Sequence, residues 1–111
     1  MYQDDSTRLK HMIDACGEAV EFLGDLSLAE LNEDRKTIQA ITRDIEIIGE
    51  AASKLSDEFK GKNNAIPWGS IIGMRNWLIH GYFNVDSEHI WNTVKKDIPD
   101  LVTQLKKIIP R

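Results

Sequence analysis

The sequence predicts an all-α fold, an antiparallel bundle of about five helices, on three observations. Apolar residues recur at steps of three and four along most of the chain, no segment sustains the two-residue alternation of a strand, and capping residues stand where the apolar periods begin and end. From Leu9 the residues Leu9, Met12, Ile13, Cys16, Val20 and Leu23 mark a first amphipathic helix over roughly 6 to 24, which Gly24 can close in a left-handed cap. Ser27-Leu28-Ala29-Glu30 has the spacing of a capping box, in which serine oxygen and glutamate satisfy free amides at a helix start. A short helical turn belongs there.

The most regular stretch follows. Ile38, Ile41, Ile45, Ile48, Ala52 and Leu55 alternate three and four, which predicts a long helix over roughly 33 to 58. Ala40, Ile47 and Ala51 form a second strip beside that seam, open to intrachain packing or to a dimer contact, and Gly49 would let another backbone approach closely. Residues 60 to 64 read as a loop. Pro67 suits the first turn of a fourth helix over about 67 to 80, with Gly81 at its end. Asp86 or Ser87 can cap a fifth helix carrying Ile90, Trp91, Val94, Ile98, Leu101, Leu105 and Ile108, kinked or split near Ile98 by Pro99.

The chain has 111 residues, 41% of them hydrophobic, which suits one domain over 1–111 with one core. A formal net charge of -4 argues against a protein that coats nucleic acid through a broad basic surface, so phosphate binding has to be local. Cys16 is the one cysteine and lies among apolar residues, which fits the core of a reduced, cytoplasmic protein. No apolar run approaches the roughly 20 residues that span a membrane, and no leader or anchor is expected.

Chemistry has few places to sit. His11 and His89 lack partners at metal-ligand spacing, Glu46 and Glu50 lack the Glu-x-x-His helices that carboxylate-bridged metal sites need, and neither a P-loop nor a nucleophile with its base is evident. No metal and no cofactor are expected. His80 differs in its company. Asn76 stands one helical turn before it, Arg75 five residues before it at about 140° around an ideal helix, and Tyr82 just past the helix end. By periodicity alone this is also an ordinary helix terminus, with a histidine at the negative end of the dipole, a glycine cap and a tyrosine folded back over Trp77 or Leu78.

The pattern Arg75-Asn76-x-x-x-His80-Gly81-Tyr82 resembles the signature of HepT-like proteins in the HEPN superfamily. The resemblance extends through Ile47-Ile48-Gly49-Glu50-Ala51 and Ile66-Pro67-Trp68 upstream, and through Trp91 and Asp97-Ile98-Pro99 downstream, so it spans about Leu9 to Leu105. It implies a homodimeric helical bundle, with two motifs facing one cleft, that acts as a metal-independent endoribonuclease on cellular RNA. It also implies the toxin role in a toxin-antitoxin pair, with a minimal nucleotidyltransferase of the MntA type as antitoxin. By position, Arg75 and His80 are the catalytic candidates, Asn76 a supporting residue, and Tyr82 the residue that receives AMP.

The residue chemistry is compatible with that expectation. Metal-free RNA cleavage can use the neighbouring 2′-hydroxyl as nucleophile, which requires one group to take a proton and another to give one. Histidine serves either role near neutrality, and a guanidinium stabilises added charge on the phosphate. One chain offers one motif histidine, so a dimer supplies the second. Lys60 and Lys62 could extend the positive field. Two other readings remain open: a non-catalytic substrate-binding or regulatory subunit of a nucleotidyltransferase, and a plain dimerisation adaptor.

Overall fold

Repeated apolar steps of three and four leave each segment one face to bury, and the computed structural model is accordingly all-helical over the residues it describes. These are 3–80 and 86–109, without the side chains of Gln3, Arg75, Trp77, Leu78, Ile79 and His80. Helix α1 spans Gln3–Leu23, α2 Leu28–Asn32, α3 Arg35–Ser53, α4 Asp57–Lys62 and α5 Trp68–His80; α6, Ser87–Asn92, runs through a π-helical turn at Thr93–Asp97 into α7, Ile98–Ile108.

On α1 the buried stripe is Leu9, Met12, Cys16, Ala19 and Leu23. Val20, expected in that stripe, is instead 43% exposed. At 100° per residue Val20 and Ala19 lie about equally far on either side of the stripe's midline, and Ala19 is on the side that the bundle covers. Gly24 ends α1 with φ of 51°, its N–H donating to the Val20 carbonyl at 3.0 Å, as a left-handed cap requires. The capping box of α2 is complete: Ser27 N–H donates to Glu30 Oε1 at 2.9 Å, and Glu30 N–H to Ser27 Oγ at 3.1 Å. Asp34 caps α3 by accepting from Thr37 N–H at 3.0 Å and from its hydroxyl at 2.8 Å.

The long helix is shorter than its periodicity predicts. It stops at Ser53, where tighter turns carry the chain to Ser56, and α4 occupies part of the expected loop at 60 to 64. The break has a tertiary cause. The buried carboxylate of Asp5, on α1, accepts from the Ser56 N–H at 2.8 Å and from its hydroxyl at 2.7 Å, while Ser56 Oγ accepts from Phe59 N–H at 3.2 Å. Two consecutive caps thus hold the backbone out of α3, yet Leu55 stays buried and the seam continues across the gap. Just before Ile98, where the sequence suggests a kink or split, the helix carries the π turn at Thr93–Asp97. Ile98 N–H donates five residues back to Thr93, and the wider turn accommodates Pro99, which has no amide hydrogen and whose ring crowds the preceding turn.

The buried residues form one cluster, with Ile41, Ile45, Ile48 and Ala52 of α3 at 0% exposure. Helix α1 packs along α3 more extensively than any other pair, and α5 is next, also against α3. Contacts between Asp5 and Ser56 at one end and between Glu18 and Asp44 at the other make α1 and α3 antiparallel. Cys16 is buried among them, its thiol pushed up to about 12 by burial and then by the Asp44 charge, which leaves it inert.

Asp44 is the unexpected member of this interface. It is 2% exposed, and no donor reaches its Oδ2. A buried carboxyl with a second carboxyl, Glu18, beside it resists ionisation, so Asp44 tends to keep its proton. Burial, then the hydrogen bond and charge of Glu18, raise the Asp44 carboxyl from 3.8 to about 7, against the pull of Arg43. A raised folded-state pKa means a stabilising contribution that is fully present below the ordinary carboxylate pKa and is lost as pH rises through about 7. The denaturant midpoint of the native chain is therefore expected to fall between pH 5 and pH 8, and Asp44→Asn to flatten that dependence. Equal pH slopes in urea melts of the two proteins would contradict the raised Asp44 pKa.

Candidate active site

Helix α5 carries Arg75, Asn76 and His80, and its start is fixed by side chains that the local sequence supplies. Trp68 is 8% exposed, its indole Nε1 donates to the Asn63 carbonyl at 3.1 Å, and its ring lies 6.2 Å from that of Phe59 at an interplanar angle of 57°. Asn63 Nδ2 donates back to the Phe59 carbonyl at 3.0 Å, and the Pro67 carbonyl accepts from Ile71 N–H at 3.1 Å. Pro67 thus precedes the first helical residue, with α5 beginning one position later than its sequence signal.

The backbone is helical through His80. Asn76 and His80 therefore share a face one turn apart, and the Asn76 side chain is exposed on it. The side chains of Arg75 and His80, and Gly81 and Tyr82 as whole residues, lie outside the described residues, so how these four meet is not part of the geometry. The chain resumes on an anchored start. Asp86 Oδ1 caps α6 by accepting from the N–H groups of Glu88 at 3.0 Å and His89 at 3.3 Å, Ser87 Oγ bonds Asn32 Oδ1 at 2.7 Å, and Trp91 Nε1 donates to the Leu26 carbonyl at 3.0 Å. Residues 81 to 85 are thus bracketed between the end of α5 and a capped helix tied to the α1–α2–α3 turn region.

Several neighbouring charges are already engaged. Lys60 pairs with Asp57 at 3.8 Å and Lys62 with Glu58 at 3.0 Å, both within α4. Glu46 pairs with Arg43 at 3.5 Å and Glu50 with Lys54 at 3.2 Å. Among the described residues no group of three or more histidine, cysteine or carboxylate side chains could hold a metal ion, and no helix is long and apolar enough to cross a membrane. His11 and His89 are both exposed. The residues that periodicity reading passed over are Asp5 and Asp44. A signal for Asp44 existed, since it stands three residues after Ile41 and four before Ile48, on the same helix face.

An all-helical bundle in which one helix bears arginine, asparagine and histidine toward its C-terminal end is the architecture of a HEPN-type protein. The model of the Ribonuclease HepT-like family matches residues 12–108, and the chain belongs to that family. It is 39% identical over 103 residues to a protein of Caldanaerobacter subterraneus subsp. tengcongensis that bears an RNase name, covering 93% of this chain and 92% of that one. It is 38% identical over 103 residues to the Probable ribonuclease HepT of Thermococcus cleftensis, covering 89% and 94%. A Methanocaldococcus jannaschii protein named as a gamma-glutamylcyclotransferase and RNase is 38% identical over 109 residues, 98% of this chain but 49% of its own length. No solved structure matches.

Trp68→Phe keeps the ring against Phe59 and removes only the indole donor. It is expected to lower folding stability by about 1 kcal/mol, the usual worth of one such bond. Chemical denaturation checks this, and an unchanged midpoint would show that the Asn63 bond does not hold the start of α5.

Proposed function

We propose that this chain is the toxin ribonuclease of a toxin-antitoxin pair, cleaving cellular RNA without a metal through Arg75 and His80, with Tyr82 as the site at which a nucleotidyltransferase antitoxin adds AMP. The observation that carries the reading is the family match over 12–108 together with an α5 that stays helical through His80, which aligns exposed Asn76 with the histidine.

In the reaction, His80 takes the proton of the ribose 2′-hydroxyl, whose oxygen attacks the adjacent phosphorus. The bond from phosphorus to the 5′-oxygen breaks, and the leaving oxygen receives a proton from the second copy's histidine. The products are a 2′,3′-cyclic phosphate and a 5′-hydroxyl. Arg75 holds the phosphate oxygens as their charge grows, and Asn76 orients the imidazole.

The face for dimerisation is the outer side of α5. Its apolar residues are spread around the helix rather than confined to one stripe, as in a helix covered on more than one side. Trp68 and Ile71 are buried, Ile72 and Met74 are half-buried, and a Cβ built on Gly69 or Gly73 would meet nothing within 4 Å. That flat strip lies in register with Asn76 and lets a second α5 approach closely. AMP on Tyr82 would place a phosphodiester where the RNA phosphate binds and occupy Arg75 in place of substrate.

Purified protein is expected to scatter light as a dimer and to cleave total RNA in the presence of chelator. His80→Ala and Arg75→Ala should each lose about 10²- to 10⁴-fold in rate with the helical circular dichroism kept. Full activity in either variant removes that residue from the site, and cleavage abolished by chelator removes the metal-free mechanism.

Co-expression with a nucleotidyltransferase of the minimal type should add AMP to Tyr82, visible as a mass increase on its peptide. Tyr82→Phe should fold, retain cleavage at least in part and escape neutralisation. A neutralised protein with Tyr82 unmodified would replace covalent inhibition with binding alone.

A further inference from the structure

The electrostatics of α1 and α3 leave one donor unexplained. Between these helices lies a cleft with a volume of about 170 Å³, lined by Arg8, His11, Ile47, Glu50, Ala51 and Lys54. Arg8 lines it, and among the described residues its buried Nε has no hydrogen-bond partner and no ion pair involves Arg8. Buried donors are nearly always paired, so this one favours an acceptor that the chain itself does not supply.

Glu50, the carboxylate among the described lining residues, does not bond Arg8 Nε. Glu50 accepts from Lys54 Nζ at 3.2 Å. Against that single negative charge stand Arg8 and Lys54, with His11 beside them, on a chain whose formal net charge is -4. Local positive excess on an acidic protein is the pattern expected of a specific anion site rather than of a general basic surface. The space fits as well. At about 30 Å³ per water the cleft holds roughly five waters, or a small tetrahedral oxyanion with part of its shell. Ile47 and Ala51 give it an apolar wall, which strengthens a charge-assisted bond to the guanidinium.

We propose that the cleft between α1 and α3 binds a phosphate group, held by Arg8 with support from His11 and Lys54. The phosphate is either free or a phosphodiester of a bound RNA strand. Arg8 and His11 are three residues apart on one face of α1, and Lys54 is the C-cap of α3, so the site exists only where the two helices meet. It does not depend on the ribonuclease reading, because a chain without cleavage activity would still bind phosphate here.

The test uses the full chain carrying Arg75→Ala and His80→Ala, so that the motif cannot contribute. Inorganic phosphate is expected to move the C2-proton resonance of His11, assigned by the His11→Gln variant. Arg8→Gln should weaken that response about tenfold, as loss of a charge-assisted bond implies. Lys54→Gln, at an exposed position, should weaken it less, and it decides the matter if Arg8→Gln does not fold. A second arm measures binding of a 2′-O-methyl single-stranded RNA, which cannot be cleaved, across a salt series. A fall of about 0.7 in the log–log salt slope on Arg8→Gln identifies the phosphate as the RNA backbone. An unchanged slope with a lost phosphate response identifies a free phosphate. A His11 resonance indifferent to phosphate, or an equal response in the native and substituted clefts, overturns the proposal.

Discussion

The antiparallel packing of α1 on α3 is the constraint on which the rest of the structure depends. The fully buried isoleucines of α3 provide one continuous apolar face, and that face is wide enough to take α1 on one side and α5 on the other. Burial of such aliphatic side chains contributes about 1.5–3 kcal/mol each, far more than any surface ion pair along these helices. The polar groups caught at the seam then have to be satisfied where they lie. Asp5 succeeds by becoming the cap of another helix, whereas Asp44 keeps an unpaired oxygen, and burial with Glu18 beside it raises its pKa.

The Asp5 contact has a consequence for the motif helix. By fixing Ser56 it ends the spine and starts α4, which brings Phe59 and Asn63 to Trp68. Helix α5 is therefore aimed from its N-terminal end by contacts that trace back, through α4, to the first turns of α1. At the far end, the capped start of α6 and the Trp91 bond to Leu26 fix where the chain resumes after the motif. Both described flanks of the motif are thus held by buried or capped elements.

Charge placement follows the same economy. The lysines of α4 pair with carboxylates of their own helix, as Lys54 does with Glu50, which leaves Arg8 as the cation of the α1–α3 cleft without an ion pair among the described residues. An acidic chain can act on a polyanion when its cations are confined to small concave places, where low dielectric makes each worth more than it would be on an open surface.

Much of the fold was legible in the sequence because its signals are local. The seam from Ile41 to Ala52, the Ser27–Glu30 capping box, the Gly24 cap and the Asp86 cap depend on residues within one or two turns, and each forms as the spacing predicts. The motif was legible as a pattern of Arg75, Asn76, His80 and Tyr82, and helical register alone places Asn76 and His80 on one face. Tertiary structure decided what local pattern could not carry. Whether Ser56 caps a helix or continues one depends on Asp5, 51 positions away, and whether Asp44 is solvated depends on Glu18 across an interface. Val20 and Ala19 differ by one position in a period of 3.6, so only the approach of α3 chose between them. Sequence fixes which residues can share a face, because that is set by bond geometry within one helix; which face is buried, and which charge is left without a partner, is set by the helices that meet it.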